Sequence, residues 1–361
     1  MTDDPTTVHK RRKDDHLSLA EQQQREGGRP NDFDRIEFVH HALAGIDACD
    51  VALETDLAGF TWGAPLYING MTGGTERTER INRALAIAAS ETGLPIASGS
   101  MSIALTHQET ADGFRVLRKE NPDGFVMANL GADKSPDDAR RAVELIEADA
   151  LQLHLNAVQE TVMPEGDRGF SHWPTAIEKI VAAAEVPVIV KEVGFGLSGR
   201  TQRTLQDLGV RIADVSGAGG TDFVDIENAR RERQDYTFMR GFGQSAVVSL
   251  LDAPAESRLV LLASGGVRSP LDVVKALALG ARAAGVAGTF LRHASEGGAE
   301  ALVPVVERWL SQMEQLLVLL GARTPTELQS TDVLLRGSVR EFCELRGIDA
   351  GGFACRSMSG N

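Results

Sequence analysis

From Ala64 onward, short apolar runs alternate with longer amphipathic stretches. A short apolar run bounded by polar or Gly-rich segments reads as a buried strand. Apolar residues recurring every three or four positions read as a helix. The pattern predicts strands over 65–69, 94–97, 124–128, 150–154, 187–191, 211–215, 258–263 and 282–287. Helices are predicted between them at 76–92, 109–120, 136–147, 172–184, 199–208, 243–252 and 270–279, and a long one follows over 293–320. Eight strands, each followed by a helix, is the count of an α/β (β/α)8 TIM barrel. A doubly wound open sheet is the alternative, but eight regular units suit closure better. The expected organisation is an N-terminal arm and barrel cover over 1–63, the barrel over 64–322, and a C-terminal helical segment and tail over 323–361. Residues 1–10 and 350–361 read as loose. The charge run from Arg11 to His16 reads equally as a solvated tail or a ligand-binding arm. The Gly- and charge-rich stretch 217–242 reads as an insertion after the sixth strand, a lid or an oligomer contact.

Composition narrows the function classes. The chain has 361 residues, 42% hydrophobic and 24% charged, enough to bury a large core. With 51 acidic against 37 basic residues the formal charge is -14. That excess argues against wrapping nucleic acid or an anionic membrane, though a local pocket can still take a small anion. Cys49, Cys343 and Cys355 are odd in number, widely spaced and without a CxxC pair, which fits reduced thiols better than disulfides or a zinc site. His40 and His41 have no partner at metal-ligand spacing and read as surface. No apolar run long enough to cross a membrane and no signal-peptide core are present. The expectation is a cytoplasmic enzyme.

Barrel enzymes carry their chemistry at the C-terminal ends of the strands. Here every predicted end carries small, hydroxyl, amide or charged residues. The first runs Asn69-Gly70-Met71-Thr72-Gly73-Gly74, and the second Ser98-Gly99-Ser100-Met101-Ser102. The third ends at Asn129. The fourth, Leu151 to Leu155, brings His154, Asn156, Gln159 and Glu160 together just past one core strand. The fifth ends in Lys191-Glu192 and the sixth in Ser216-Gly217 with Gly219-Gly220-Thr221. The seventh ends in Ser264-Gly265-Gly266-Val267-Arg268, and the eighth in Ala287-Gly288-Thr289. Glycines before a helix let backbone N–H groups approach an anion, and the last two loops are the usual phosphate grip of such barrels.

Three roles fit Lys191: a Schiff base, a carboxylate partner, or a positive charge beside a flavin. A bound isoalloxazine accounts for more of the mouth. Thr72, Ser100 and Asn129 would hydrogen-bond its edges, Lys191 would sit near N1/O2, and the last two loops would hold the phosphate. That predicts FMN. No G-x-G-x-x-G opens a Rossmann unit, so a stably bound dinucleotide fits less well.

Taken together these residues resemble the type 2 isopentenyl-diphosphate isomerases. The resemblance runs in order over about 10–355. It rests on Arg12-Lys13 with His16, Gly70-Met71-Thr72-Gly73-Gly74, Ser98 to Ser102, His154-Leu155-Asn156 with Gln159-Glu160, Pro187 to Gly194, Val215-Ser216-Gly217 with Gly219-Gly220-Thr221, and Ser264 to Arg268. It implies an FMN-dependent (β/α)8 barrel that interconverts isopentenyl and dimethylallyl diphosphate, with reduced flavin, Mg²⁺ and NADPH as reductant. Arg12, Lys13 and His16 would grip the diphosphate. Ser100, Met101, Ser102, His154, Asn156 and Gln159 would line the substrate, with Gln159 and His154 nearest the chemistry. Glu160 would hold Mg²⁺. Met71, Thr72, Gly73, Ser100, Asn129, Lys191, Ser216, Thr221, Gly265, Gly266, Val267, Arg268, Ala287 and Gly288 would hold FMN. A homo-oligomer, tetramer or octamer, is also implied, with the 11–16 arm able to reach a neighbouring subunit. Many members have Gln-Arg where this chain has Met101-Ser102, which puts one substrate contact in doubt; the Met-Ser form resembles a branch of the family.

Four rivals remain at this level. A flavin-dependent 2-hydroxyacid oxidase needs a His and an Arg after the sixth strand, where Ser216-Gly217-Ala218-Gly219 stands. A nucleotide dehydrogenase of this fold needs a Cys there. A Schiff-base aldolase would use Lys191 without flavin. A flavin-binding or phosphate-sensing barrel would bind without turnover.

Overall fold

The computed structural model describes residues 5–26, 31–43, 45–71 and 73–358. Its strands are β1 Ile36–Phe38, β2 Thr55–Leu57, β3 Phe60–Trp62, β4 Leu66–Ile68, β5 Ile96–Ala97, β6 Val126–Gly131, β7 Ala150–Leu155, β8 Val188–Glu192, β9 Ile212–Asp214, β10 Val260–Ser264, β11 Ala283–Val286 and β12 Val333–Leu335. β4 to β11 are the eight strands foreseen from the pattern. They close into one parallel barrel, with β4 bonded to both β5 and β11.

Strand alternation builds two apolar layers. Tyr67, Ala97, Met127, Ile189, Ile212, Leu262 and Ala283 pack together with Leu57 and Trp62 of the β2–β3 hairpin, which plugs the N-terminal end. Their neighbours along the strands, such as Leu66, Ile68, Ile96, Leu151 and Val190, pack in the larger outer cluster with the surrounding helices. With the lower half filled this way, the upper half is left for a ligand.

Local chemistry explains the helix limits. Thr75 and Thr78 form a capping box ahead of helix Glu76–Thr92, and Gly93 closes it at φ 70°. Pro136 and Pro270 occupy first turns behind the capping hydroxyls of Ser135 and Ser269. The long helix after the eighth barrel strand runs Gly288–Leu320, starting before the predicted residue 293 and broken at Gly298 (φ 67°).

Several expectations are corrected. Residues Pro5–Glu26 form a helix, so the N-terminal region is ordered beyond the expected loose tail. Its Glu21 carboxylate accepts hydrogen bonds from Arg77 at 2.8 Å and Ser295 at 2.5 Å, docking the helix on the barrel's outer helices. The 217–242 stretch contains helix Phe223–Arg230, capped by Asp222. The 350–358 segment is not loose: helix Ala350–Ala354 precedes a turn in which Arg356 donates to the Ala278 carbonyl and Ser357 to Asp332. β12 pairs antiparallel with β1, joining the two ends of the described chain. Three-residue strands carry too little alternation to be read from sequence.

Candidate active site

A cavity of about 450 Å³ opens at the C-terminal ends of the barrel strands. On one side it is lined by Gly219, Gly220, Gly265, Gly266 and Gly288. Close approach of backbone requires glycine at Gly265, where a Cβ would lie 1.8 Å from the Gly217 carbonyl oxygen. Gly288 opens the long helix Gly288–Leu320, whose first N–H groups have no partner within the helix. The wall is therefore backbone, with donors and no side-chain bulk.

A basic part of the lining comes from the N-terminal helix. Arg12, Lys13 and His16 line the cavity from this chain itself. Arg12 makes only long contacts, 3.8 Å to Glu165 and 3.7 Å to the Met163 sulfur, and its buried Nε has no hydrogen-bond partner among the described residues. Burial, and then the Arg12 charge, push the Lys13 ammonium down to about 8, against the pull of Glu227.

Asn129, His154 and Lys191 of the lining belong to a connected set of polar groups. Gln152 Oε1 accepts from Asn129 Nδ2 at 3.0 Å, and Asn129 Oδ1 is 2.9 Å from His154 Nδ1. Burial, with the charges of Lys191, Lys13 and Lys134, pushes the His154 imidazole down to about 3. It is thus neutral, and with Asn129 Oδ1 as acceptor its Nδ1 carries the hydrogen. Lys191 is 6% exposed and donates to the Glu192 carbonyl at 2.8 Å. Burial lowers its pKa, while Asp214 and Glu192 act to keep it charged. Asp214 is fully buried beneath it, accepting from Tyr67 at 2.5 Å and from Ser264 at 2.8 Å. Its other oxygen accepts from Ser216 N–H at 3.0 Å, supporting a left-handed φ of 37° at that residue.

Helix Ala157–Val162, immediately after β7, carries Gln159 and Glu160 one residue apart. Gln159 Nε2 donates to Glu227 Oε1 at 2.8 Å. Glu227 is fully buried, 2.9 Å from His16 Nε2 and paired with Arg230. Burial would raise its pKa, but the hydrogen bonds from His16, Gln159 and Arg230 prevail and hold it ionised. Glu160 accepts from Asn156 Nδ2 and from Asp167 N–H, each at 2.9 Å. Among the described residues no cluster of three or more metal-ligating side chains occurs.

Most of the residues singled out from sequence meet here. Met71, Ser100, Ser102, Asn129, His154, Asn156, Gln159, Glu160, Lys191, Ser216, Thr221, Gly265, Gly266, Val267, Arg268, Ala287 and Gly288 all line the cavity. Three departures stand out. Met101 is fully buried and turned into the core, so it is not a side-chain contact. Gly73 sits against Phe114, where a Cβ would lie 2.2 Å from the ring, and does not line the cavity. The Arg268 guanidinium is committed to Asp34 at 2.6 Å and Asp272 at 3.0 Å, leaving it little to offer an anion. Thr72 lies outside the described residues. Glu227, Gln152, Asp214, Gln24 and Asn31 were missed. They are single polar residues far apart in sequence, with no motif around them.

Residues 130–335 match the model of the FMN-dependent dehydrogenase family. An isopentenyl-diphosphate delta-isomerase of Kitasatospora griseola is 60% identical over 348 residues, 96% of this chain and 95% of its own. Its namesake from Streptomyces sp. (strain CL190) is 58% identical over 96% of both chains. That of Latilactobacillus sakei is 45% identical over 94% of this chain and 97% of its own. Among solved structures, a mandelate oxidase mutant with a monooxide FMN adduct superposes with TM-score 0.60 at 17% identity, over 89% of this chain and 92% of that one. A mutant flavocytochrome b2 with pyruvate bound gives 0.63 at 18% identity, over 87% and 80%. At such identities the likeness is one of fold alone.

Proposed function

Because this chain belongs to the isopentenyl-diphosphate delta-isomerases, and among them to the FMN-dependent type 2 enzymes, we propose that its cavity holds reduced FMN beside an isoprenoid diphosphate and moves a proton across the 1,3-allylic unit. The observation that carries this reading is that one cavity is lined both by glycine backbone and by the basic Arg12, Lys13 and His16. The glycine wall fits the flavin phosphate, since Gly219, Gly220, Gly265, Gly266 and Gly288 bring main chain rather than side chains to the cavity. The basic wall fits the diphosphate, and Arg12 Nε, buried without a hydrogen-bond partner among the described residues, is a donor for it.

Reduced FMN would supply an exchangeable N5 proton and an electron-rich ring face beside the alkene. Lys191 would place its ammonium at the N1/O2 edge and favour negative charge there, with Asp214 keeping the lysine charged. Neutral His154, its one N–H given to Asn129, would present Nε2 as an acceptor without adding charge to the site. Gln159, with Nε2 spent on Glu227, would present Oε1 to the substrate. Glu160 uses two of the roughly four acceptor positions of a carboxylate. It would therefore give Mg²⁺ one oxygen while diphosphate and water fill the rest. The allylic shift changes no net oxidation state, so NADPH would prepare the enzyme without being consumed in step with product. A homo-oligomer, tetramer or octamer, belongs to the same proposal, and the exposed Phe238 and Phe242 are apolar surface that assembly would cover.

The test is an anaerobic assay of isopentenyl diphosphate with FMN, NADPH and Mg²⁺, each omitted in turn. Dimethylallyl diphosphate should form only with flavin and reductant present, without stoichiometric NADPH loss. Turnover by flavin-free protein, or an imine trapped on Lys191 by borohydride, would overturn the reading.

A further inference from the structure

We propose that Asn31, on the arm just before β1, is a positioning residue that aims the loops after β9 and β10 at the flavin phosphate. The inference rests on the reading that these loops hold that phosphate. Asn31 is 6% exposed and stands behind the cradle: Gly219, Gly220, Gly265, Gly266 and Val267 line the cavity, and Asn31 does not. Its Nδ2 donates to the Gly266 carbonyl at 2.6 Å and, more weakly, to the Gly219 carbonyl at 3.4 Å. One amide thus ties together two loops that follow neighbouring strands.

Peptide geometry turns this tie into an orientation. In a trans peptide the C=O and the following N–H point in opposite directions. Drawing the carbonyls of Gly219 and Gly266 back onto Asn31 therefore sends the N–H groups of Gly220 and Val267 the other way, toward the cavity these residues line. Both glycines hold positive φ, 122° and 84°, which glycine adopts without strain and a residue with a Cβ does not. The fit is close, since a Cβ on Gly266 would lie 2.3 Å from Asn31 Nδ2.

The arm is itself fixed against the same loop. Asn31 Oδ1 caps the turn Asp32–Arg35 by accepting from Phe33 N–H at 3.0 Å. Lys275 donates to the Phe33 carbonyl at 2.8 Å, and Arg268 binds Asp34 at 2.6 Å. The cap and the tie use different atoms of Asn31, so they can be separated. Asn31→Asp keeps the acceptor for Phe33 N–H but replaces the donor with an oxygen facing a carbonyl. Asn31→Ala removes both.

The experiment titrates the full-length, flavin-stripped chain with FMN and with riboflavin, which lacks the phosphate, following flavin fluorescence. For Asn31→Asp and Asn31→Ala, the FMN dissociation constant should rise about tenfold, the loss of one well-placed hydrogen-bond network. The riboflavin constant should stay within about twofold of wild type. Equal weakening of both flavins, or wild-type FMN affinity in Asn31→Asp, would overturn the inference. If the wild-type chain bound riboflavin as tightly as FMN, the phosphate reading itself would fail.

Discussion

Gln159 illustrates how one hydrogen bond can assign a chemical role. With Nε2 held by Glu227 at 2.8 Å, its free polar end is Oε1. Asn at this position is one methylene shorter and withdraws that end from the substrate. Gln159→Asn should lower kcat about a hundredfold, the scale of a positioned proton-transfer group. Flavin content, read from visible absorbance, should be unchanged; near-normal turnover would remove Gln159 from the proton path. Lys13 gives a pH signature. Burial and Arg12 hold its pKa near 8, so its charge is present below that pH and lost above it. KM for isopentenyl diphosphate should therefore climb as pH rises through about 8. In Lys13→Arg the climb should vanish, since guanidinium stays charged. A wild-type KM that is flat across this range would show that Lys13 does not pair with the diphosphate.

At the level of elements, the helix Pro5–Glu26 delivers the whole basic wall, and its hold on the barrel decides where that wall sits. Glu21 is the anchor, bonded to Arg77 and Ser295. Gln23 adds a reciprocal pair, donating to the Asp222 carbonyl at 3.1 Å and accepting from Asp222 N–H at 2.9 Å. A partly exposed ionic anchor is worth about 1 kcal/mol, or about fivefold in a binding constant. Glu21→Ala should raise KM about fivefold, with kcat and flavin affinity close to wild type. A change in flavin affinity instead would mean that the helix shapes the flavin side of the cavity. The helix Phe223–Arg230 matters in the same way, because it brings Glu227 and Arg230 against Gln159 and His16.

Across the whole molecule, the chain ends are stitched together away from the mouth. β1 pairs with β12, and buried Asp332 accepts from Ser357 N–H at 2.8 Å and Oγ at 2.6 Å, with His41 at 3.0 Å. Removing a buried carboxylate with these partners strands its donors, at a cost of about 2 kcal/mol. Asp332→Ala should lower the urea unfolding free energy by about that amount while leaving kcat and KM at 25 °C unchanged. Loss of activity without loss of stability would place this seam in the function.

The periodicity from Ala64 to Leu320 determined the barrel without help, because a strand buried on both faces and an amphipathic helix each leave a local signature. Strand ends pointed to the ligand cavity for the same reason, since a barrel sends all of them to one face. Tertiary structure alone decided which polar groups meet. Gln159 finds Glu227 across 68 residues and Asn31 reaches Gly266 across 235, and no local pattern records such pairs. It also decided that the arm is a helix, because a sequence with little apolar periodicity is held there by contacts with the barrel rather than by its own propensity. Met101 shows the converse: a residue inside a site motif can belong to the core, because strand-end position fixes the loop and not the direction of each side chain.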